Sequence, residues 1–446
     1  MGYQLGVDLG TTYTASAVHR DGRVEVVALG GRATSIPSVV FLAEDSTILT
    51  GEAAHRRAAT SPVRVAREFK RRLGDTTPIL LAGSPHSAEQ LMARLLRAVV
   101  DAVAEVEGGP PDRVALSHPA NWGPFKVDLL GQAVRLADLG STEFVTEPEA
   151  AAMYYASTER VAAGEIVAVY DLGGGTFDAA VLRKTESGFE ILGKPEGIEH
   201  LGGVDFDEAV FDHVRHSLDG ALERLDPTDS AAVVAIARLR QECIEAKEAL
   251  ASETEVSIPV FLPAHHTEVR LTRGEFEAMT RAPLVETIGA LRRALQSAGV
   301  EPAAVRTVLL VGGSSRIPLV AELVSAELGR PIAVDAHPKH AVALGAALAA
   351  AQTVTGAPAD DAVVVSSGEP AEASAASQAD VTVGFWFYVD EPEWVVSPYD
   401  YAQTVGVLQP GRWYLAGEEH GDWVYAADEY GAEGWVSLYA VRRYEP

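Results

Sequence analysis

Two short stretches carry the chemistry of this chain: Gly6-Val7-Asp8-Leu9-Gly10-Thr11-Thr12 and Tyr170-Asp171-Leu172-Gly173-Gly174-Gly175-Thr176. Each is an apolar strand that ends in Asp-Leu-Gly and turns back through small residues bearing hydroxyls. Glycine lets a backbone pass close to a bulky anion, and the N–H groups of such a turn then point at its oxygens. Phosphate suits that nest. A carboxylate at the end of each strand would repel phosphate on contact, so Asp8 and Asp171 make sense with a cation between acid and phosphate. Mg²⁺ behaves this way, keeping several waters while binding one or two carboxylates and phosphate oxygens. Either motif alone could be an ordinary hairpin turn, since Asp and Gly are common turn formers. The pair, about one domain's length apart, points to two similar lobes offering one turn each to a shared ligand.

The elements that must position these turns can be read from periodicity and punctuation. Leu5 to Leu9, Ala15 to His19 and Val24 to Leu29 form a β-meander, with Asp21-Gly22 as a hairpin turn. A helix runs from Ser87 to Val106, opened by a capping box of Ser87 and Gln90. Strand Arg113 to Ser117 follows, with helices after Trp122 and Pro148. Ile166 to Asp171, Phe177 to Leu182 and Phe189 to Leu192 restart the pattern as a second meander. Long helices at Pro227 to Ala251 and Thr272 to Ala298 come next, with strands between them. Strand Val308 to Val311, the turn Gly312-Gly313-Ser314-Ser315-Arg316, a further helix and an Ala-rich helix from His340 to Ala351 complete the unit. Strands, then helices, then strands again is the order of a duplicated α/β unit. The expected boundaries are a first lobe at 1–165, a second at 166–352, an acidic flexible linker rich in Ala, Ser, Pro, Glu and Asp at 353–380, and a small β domain at 381–446.

Composition narrows the function classes. The 446 residues suggest about three domains. A hydrophobic content of 47% with 22% charged residues is that of a globular chain able to bury a core. No apolar run approaches the ~20 residues of a membrane span, and the start, Met1-Gly2-Tyr3-Gln4, lacks the basic region of a signal peptide. A formal charge of −27 argues against nonspecific nucleic-acid or anionic-membrane binding, both of which rely on basic patches. Cys243 is the single cysteine, so no intramolecular disulfide can form and a cytoplasmic location is expected. With Leu239, Ala246 and Leu250 it lies on an apolar helical stripe, which reads as a buried structural thiol; no feature supports a redox role.

The motifs together resemble the nucleotide-binding domain of the heat shock protein 70 family. The matching segments are Gly6 to Tyr13, Asp171 to Asp178, Leu201-Gly202-Gly203-Val204-Asp205-Phe206-Asp207 and Val311 to Pro318, in the family's order, with Ile36-Pro37-Ser38-Val39-Val40 and Glu147-Pro148-Glu149-Ala150-Ala151-Ala152 between them. The resemblance covers about residues 1–352. It implies an actin-like (ribonuclease H-like) ATPase fold, two lobes around a nucleotide cleft, with ATP and Mg²⁺ as ligands. It also implies roles. Asp8 and Asp171 would hold hydrated Mg²⁺, Thr11, Thr12, Gly174, Gly175 and Thr176 would cradle the β- and γ-phosphates, and Gly10, Tyr13 and Gly173 would belong to the same nucleotide-binding set. Lys70, in Phe69-Lys70-Arg71-Arg72-Leu73-Gly74, matches the catalytic lysine, a cation beside the γ-phosphate. By residue type alone it is one member of a solvated basic cluster. Glu147 matches the acidic residue near the attacking water, while Asp171 and Thr176 complete the catalytic set. Gly202, Gly203, Gly312, Gly313, Ser314 and Arg316 correspond to the nucleoside side of the pocket.

Departures from the family pattern sharpen the expectation. The ribose-contacting helix face, at i, i+3 and i+7, reads Ile244, Lys247, Ala251, so the family's Glu and Ser are absent and Lys247 alone survives. Two hydrogen bonds of ~1 kcal/mol net each are lost, which predicts weaker ATP binding and looser selectivity. Lys339 stands where the family has an Asp near the base. The arginine that engages J-domain co-chaperones is replaced by Glu143, a charge reversal that speaks against ordinary J-domain coupling. The segment Asp360-Asp361-Ala362-Val363-Val364-Val365 only weakly echoes the family's acidic-then-leucine linker, and nothing after it has the length of the peptide-binding domain.

The tail resembles bacterial Src-homology-3-like domains through Val405 to Gly411, Gly421 to Tyr425 and Gly434 to Ser437. It holds Trp386, Trp394, Trp413, Trp423 and Trp435, which read either as the core of a small barrel or as a partner-binding groove. Three readings follow: a slow chaperone-like ATPase whose lobe motion is passed to an unknown protein partner through linker and tail, a non-hydrolysing nucleotide-dependent scaffold, and a small-molecule kinase on the same fold, for which no sugar-like pocket is recognisable.

Overall fold

The computed structural model describes residues 2–29, 33–58, 60–226, 229–263, 265–334 and 340–352, and seven strands between 385 and 443. The chain divides into two compact units, 1–362 and 363–446. Within the first unit, two sheets share one strand order. In the first, the meander Gln4–Leu9, Tyr13–Arg20 and Arg23–Val26 is extended on the Gln4–Leu9 side by Arg113–His118 and Thr142–Thr146, both parallel to it. In the second, the meander Ile166–Leu172, Phe177–Lys184 and Phe189–Ile198 is extended by Val305–Val311 and Ile332–Val334 in the same way. This is the duplicated α/β unit expected from the motif spacing.

Local chemistry accounts for the elements. Asp21 and Gly22 both take positive φ, 52° and 75°, the pattern of a tight turn whose twist matches its strands. The helix Ala88–Glu107 begins with the capping box of Ser87 and Gln90 and ends at left-handed Gly108. The helix Glu147–Thr158 is capped by Thr146, with Pro148 in its first turn, where a missing N–H costs nothing. Cys243, Leu239, Ala246 and Leu250 all lie in the core of the second lobe, where burial pushes the Cys243 thiol up to about 12, an inert structural thiol. The first lobe also holds the three-stranded sheet Val39–Leu42, Ile48–Thr50 and Val65–Arg67 and the helix Gly51–Ala58. These short elements lack the length for a periodic signal.

The lobes exchange helices. Glu147–Thr158 follows the first sheet in the chain, yet its Ala151 and Met153 share a core with Val167, Val169 and Ala180 of the second. Ala341–Gln352 follows the second sheet, and its Ala343, Leu344 and Ala347 share a core with Ala15 and Ala17 of the first. The two helices pack against each other, with Ala150, Ala346 and Ala350 in one cluster. No helix among the described residues is long and apolar enough to cross a membrane.

In the second unit the described residues are all in strands. Its strands form one antiparallel sheet in the order Asp400–Leu408, Glu393–Ser397, Glu433–Ser437, Trp423–Ala427, Arg412–His420, Phe385–Val389, Arg442–Arg443. The expected linker at 353–380, Lys339 and the roles of the tail tryptophans lie outside what the structure describes.

Candidate nucleotide site

Asp8 and Asp171 occupy the same place in the two sheets, each next to last on a central strand. Their turns meet face to face. A Cβ on Gly174 would stand 2.2 Å from Thr12 Oγ1, and one on Gly175 2.5 Å from Thr11 Cγ2. Only glycine permits that approach. The turns are braced from behind: the Ser38 hydroxyl donates to Gly10 O at 2.7 Å, and Gly173 N–H donates to Thr176 O at 3.0 Å. Gly202 packs against Gly174 and Gly175, and the Ser314 hydroxyl donates to Gly173 O at 2.9 Å.

A cleft of about 1070 Å³ opens from the turns. Asp8, Gly10, Thr11, Thr12 and Tyr13 line it from the first lobe, and Asp171, Gly173, Gly174 and Thr176 from the second. Lys70 and Glu147 also line it, and Gly203, Lys247, Gly312, Gly313, Ser314 and Arg316 form part of its wall. Of the expected site residues, Gly175 and Gly202 do not line the cleft but lie beneath its surface, Gly175 against Thr11 and Gly202 against the second turn. Ile244 and Ala251 line it too, although the helix Ser230–Ala249 ends before Ala251, which lies in the turn that follows. Lys247 is engaged with the wall itself, donating to Gly203 O at 3.0 Å and pairing with Asp207 at 2.7 Å.

Lys70 Nζ donates to Glu147 Oε1 at 2.7 Å, with both side chains under a tenth exposed. Burial alone would lower the lysine's pKa, but Glu147 and Asp8 outweigh it and raise it, so the ammonium stays charged. Its Nζ also lies 5.6 Å from the centre of the Trp122 ring, within cation–π range. Burial pushes Asp8 up to about 6, with Glu147 adding to the rise and Lys70 and the Ser117 hydroxyl opposing it. Burial likewise raises Asp171 well above the carboxylate range, with Glu147, Asp178 and Asp8 adding to it. Asp178 is pushed up to about 8 by burial and Glu147.

Asp178 and Ser117 were not assigned roles from the sequence. Asp178 stands directly opposite Asp171 across the hairpin, where the first lobe has Ala15 opposite Asp8. Its Oδ1 is buried with no hydrogen-bond partner among the described residues. The seven-residue spacing of the two acids across a tight turn was the available signal. Ser117, next to last on the strand Arg113–His118, donates to Asp8 Oδ1 at 2.9 Å, a contact without local signature.

The likeness to known proteins extends well beyond these short motifs. A profile of the family described as "Hsp70 protein" matches residues 4–80 and 78–366. The chain belongs to the Hsp70 family. The chaperone protein DnaK of Thermotoga petrophila and that of Thermotoga maritima are each 32% identical to it over 365 residues, covering 78% of this chain and 59% of the relative. The Hsp70-family chain thus spans somewhat over half the length of the curated relatives it matches. Among the described residues, no group of three or more His, Cys, Asp and Glu side chains converges on a metal position. Asp8 and Asp171, both lining the cleft, would fit a cation held partly through water and phosphate oxygens. The raised carboxyls and the orphaned Asp178 oxygen fit that reading: more negative charge is buried here than Lys70 can balance.

Proposed function

We propose that this chain binds ATP with Mg²⁺ in the cleft between its lobes and hydrolyses it slowly. The observation that carries the reading is the buried Lys70–Glu147 pair, set beside two strand-end carboxylates where two hydroxyl-bearing glycine turns meet. In this reading the N–H groups and hydroxyls of Thr11, Thr12 and Thr176 cradle the β- and γ-phosphates in turns shaped by Gly10, Gly173 and Gly174, with Gly175 supporting Thr11 from beneath. Lys70 offers a fixed positive charge to the transferring phosphoryl group, where preorganised electrostatics are worth most. Glu147 holds that lysine and stands ready to orient the attacking water. Mg²⁺, when bound, neutralises charge on the phosphate oxygens. Gly203, Gly312, Gly313, Ser314 and Arg316 admit the nucleoside, with the Arg316 guanidinium free to stack on the base. A cytoplasmic setting, and transmission of lobe motion to a protein partner through the linker and β unit, belong to the same proposal.

The test is phosphate release from Mg-ATP by the wild type and Lys70→Ala, with nucleotide affinity measured for both. The expected result is slow turnover that falls ~10²-fold or more in the variant while binding persists. Undiminished hydrolysis in Lys70→Ala would remove the lysine from the mechanism. One observation favours a second reading, a nucleotide-dependent scaffold: Ile244 and Ala251 leave the nucleoside side of the cleft more apolar than the family pattern. Tight binding without turnover in either protein would select it.

A further inference from the structure

Lys70 and Arg71 are neighbours on the short 3₁₀ turn Phe69–Arg72, and their side chains part company there. Lys70 stays in the first lobe with Glu147, while Arg71 crosses to the second. Arg71 Nη2 donates to both carboxylate oxygens of Asp205, at 3.0 and 2.9 Å. The Arg71 side chain is 10% exposed and that of Asp205 38%. Lys126–Glu199 also spans the lobes, with side chains 26% and 49% exposed.

Asp205 is tied directly to the second phosphate turn. It sits in the first turn of the helix Gly203–Ser217, and its Oδ2 also accepts the Gly202 N–H at 2.8 Å. The next two N–H groups, of Gly203 and Val204, donate to Gly173 O at 3.0 Å and Gly174 O at 2.8 Å. An unbroken path of bonds therefore runs from the segment bearing Lys70, through Arg71 and Asp205, to the turn that faces Thr11 and Thr12. Glu68 supports the start of this path. It takes a left-handed conformation at φ 56° just before the turn, and its carboxylate lies 3.7 Å from Arg71.

We propose that Arg71 is a positioning residue. Its ion pair with Asp205 clasps the lobes at the spacing that sets Lys70 against the second phosphate turn, and opening this clasp is a step in nucleotide release. The inference rests on the nucleotide-binding reading above. It calls for a double-mutant cycle on the full chain with Arg71→Ala, Asp205→Asn and the double variant, read as the release rate of fluorescently labelled ADP together with kcat and KM for ATP. Asparagine keeps an oxygen for the Gly202 N–H and removes only the charge, so Asp205→Asn carries the test if Arg71→Ala does not fold. Each single variant is expected to release ADP about fivefold faster and to lose kcat. The double variant should be no faster than either single one, because paired residues act as one unit. Release at the wild-type rate in Asp205→Asn, or effects that simply add in the double variant, would overturn the clasp and leave nucleotide binding standing. A wild type that takes up no labelled ADP would instead overturn the nucleotide reading, and the clasp with it.

Discussion

Gly345 crosses Ala150 so closely that a Cβ at position 345 would stand 1.7 Å from the Ala150 carbonyl oxygen. The obstacle is backbone on a buried helix, which cannot swing aside as a flexible side chain would. This contact lets the exchanged helices Glu147–Thr158 and Ala341–Gln352 pack at small-residue distance, each beneath the other lobe's sheet. Gly345→Ala is therefore expected to destabilise the protein by about 3 kcal/mol, the upper end for overpacking. A urea unfolding curve with a wild-type midpoint would show that the helices can separate without cost. Turnover should fall as well, because Glu147 begins one of the two helices.

The Lys70–Glu147 pair predicts a stability effect as well as a kinetic one. Glu147→Ala leaves a buried ammonium without its nearest counter-charge, and breaking such a pair costs roughly 3 kcal/mol or more. Asp8 still faces the lysine and places the expected loss at the low end of that range. Replacing both residues, as in Lys70→Met with Glu147→Leu, should recover much of the stability and none of the activity. Chemical denaturation of all three proteins would check this.

The buried carboxyls give the metal-free protein an unusual pH response. Asp8 and Asp178 are raised to about 6 and about 8, and Asp171 is raised too. Between about pH 4 and 8 the folded protein thus holds more protons on these groups than the unfolded chain, so they make stability fall as pH rises. A divalent cation that favours the ionised forms should oppose that fall. The melting temperature without Mg²⁺ is expected to decline from pH 5 to pH 8, and added Mg²⁺ should raise it more at pH 8 than at pH 5. An equal Mg²⁺ effect at both values would place the cation elsewhere.

Ile244 faces the cleft from the helix Ser230–Ala249. Ile244→Glu should restore one hydrogen bond to the nucleoside, worth ~1 kcal/mol net and hence about fivefold tighter ATP. Titration calorimetry with ATP and with 2′-deoxy-ATP would read it, the gain being smaller for the deoxynucleotide if ribose is the partner. Unchanged affinity for both would take this helix face out of the nucleoside site.

By itself the sequence determined the two glycine turns, the paired meanders, the capped helices and the buried stripe around Cys243. These rest on rules that act within a few residues: glycine and hydroxyl spacing, the capping box of Ser87 and Gln90, and strand and helix periodicity. Tertiary structure alone decided what the run Lys70-Arg71-Arg72 does. Three adjacent cations read as a solvated cluster, yet Lys70 is buried on Glu147, Arg71 spans the lobes to Asp205, and Arg72 stays at the surface with Asp75. The exchanged helices are of the same kind, since Ala-rich runs do not say which sheet will cover them. The partners lie 77 residues apart for Lys70 and 134 for Arg71. Side chains that distant meet only once two sheets and two crossing helices have fixed where each lobe stands, so nothing in the local sequence distinguishes one cation from the next.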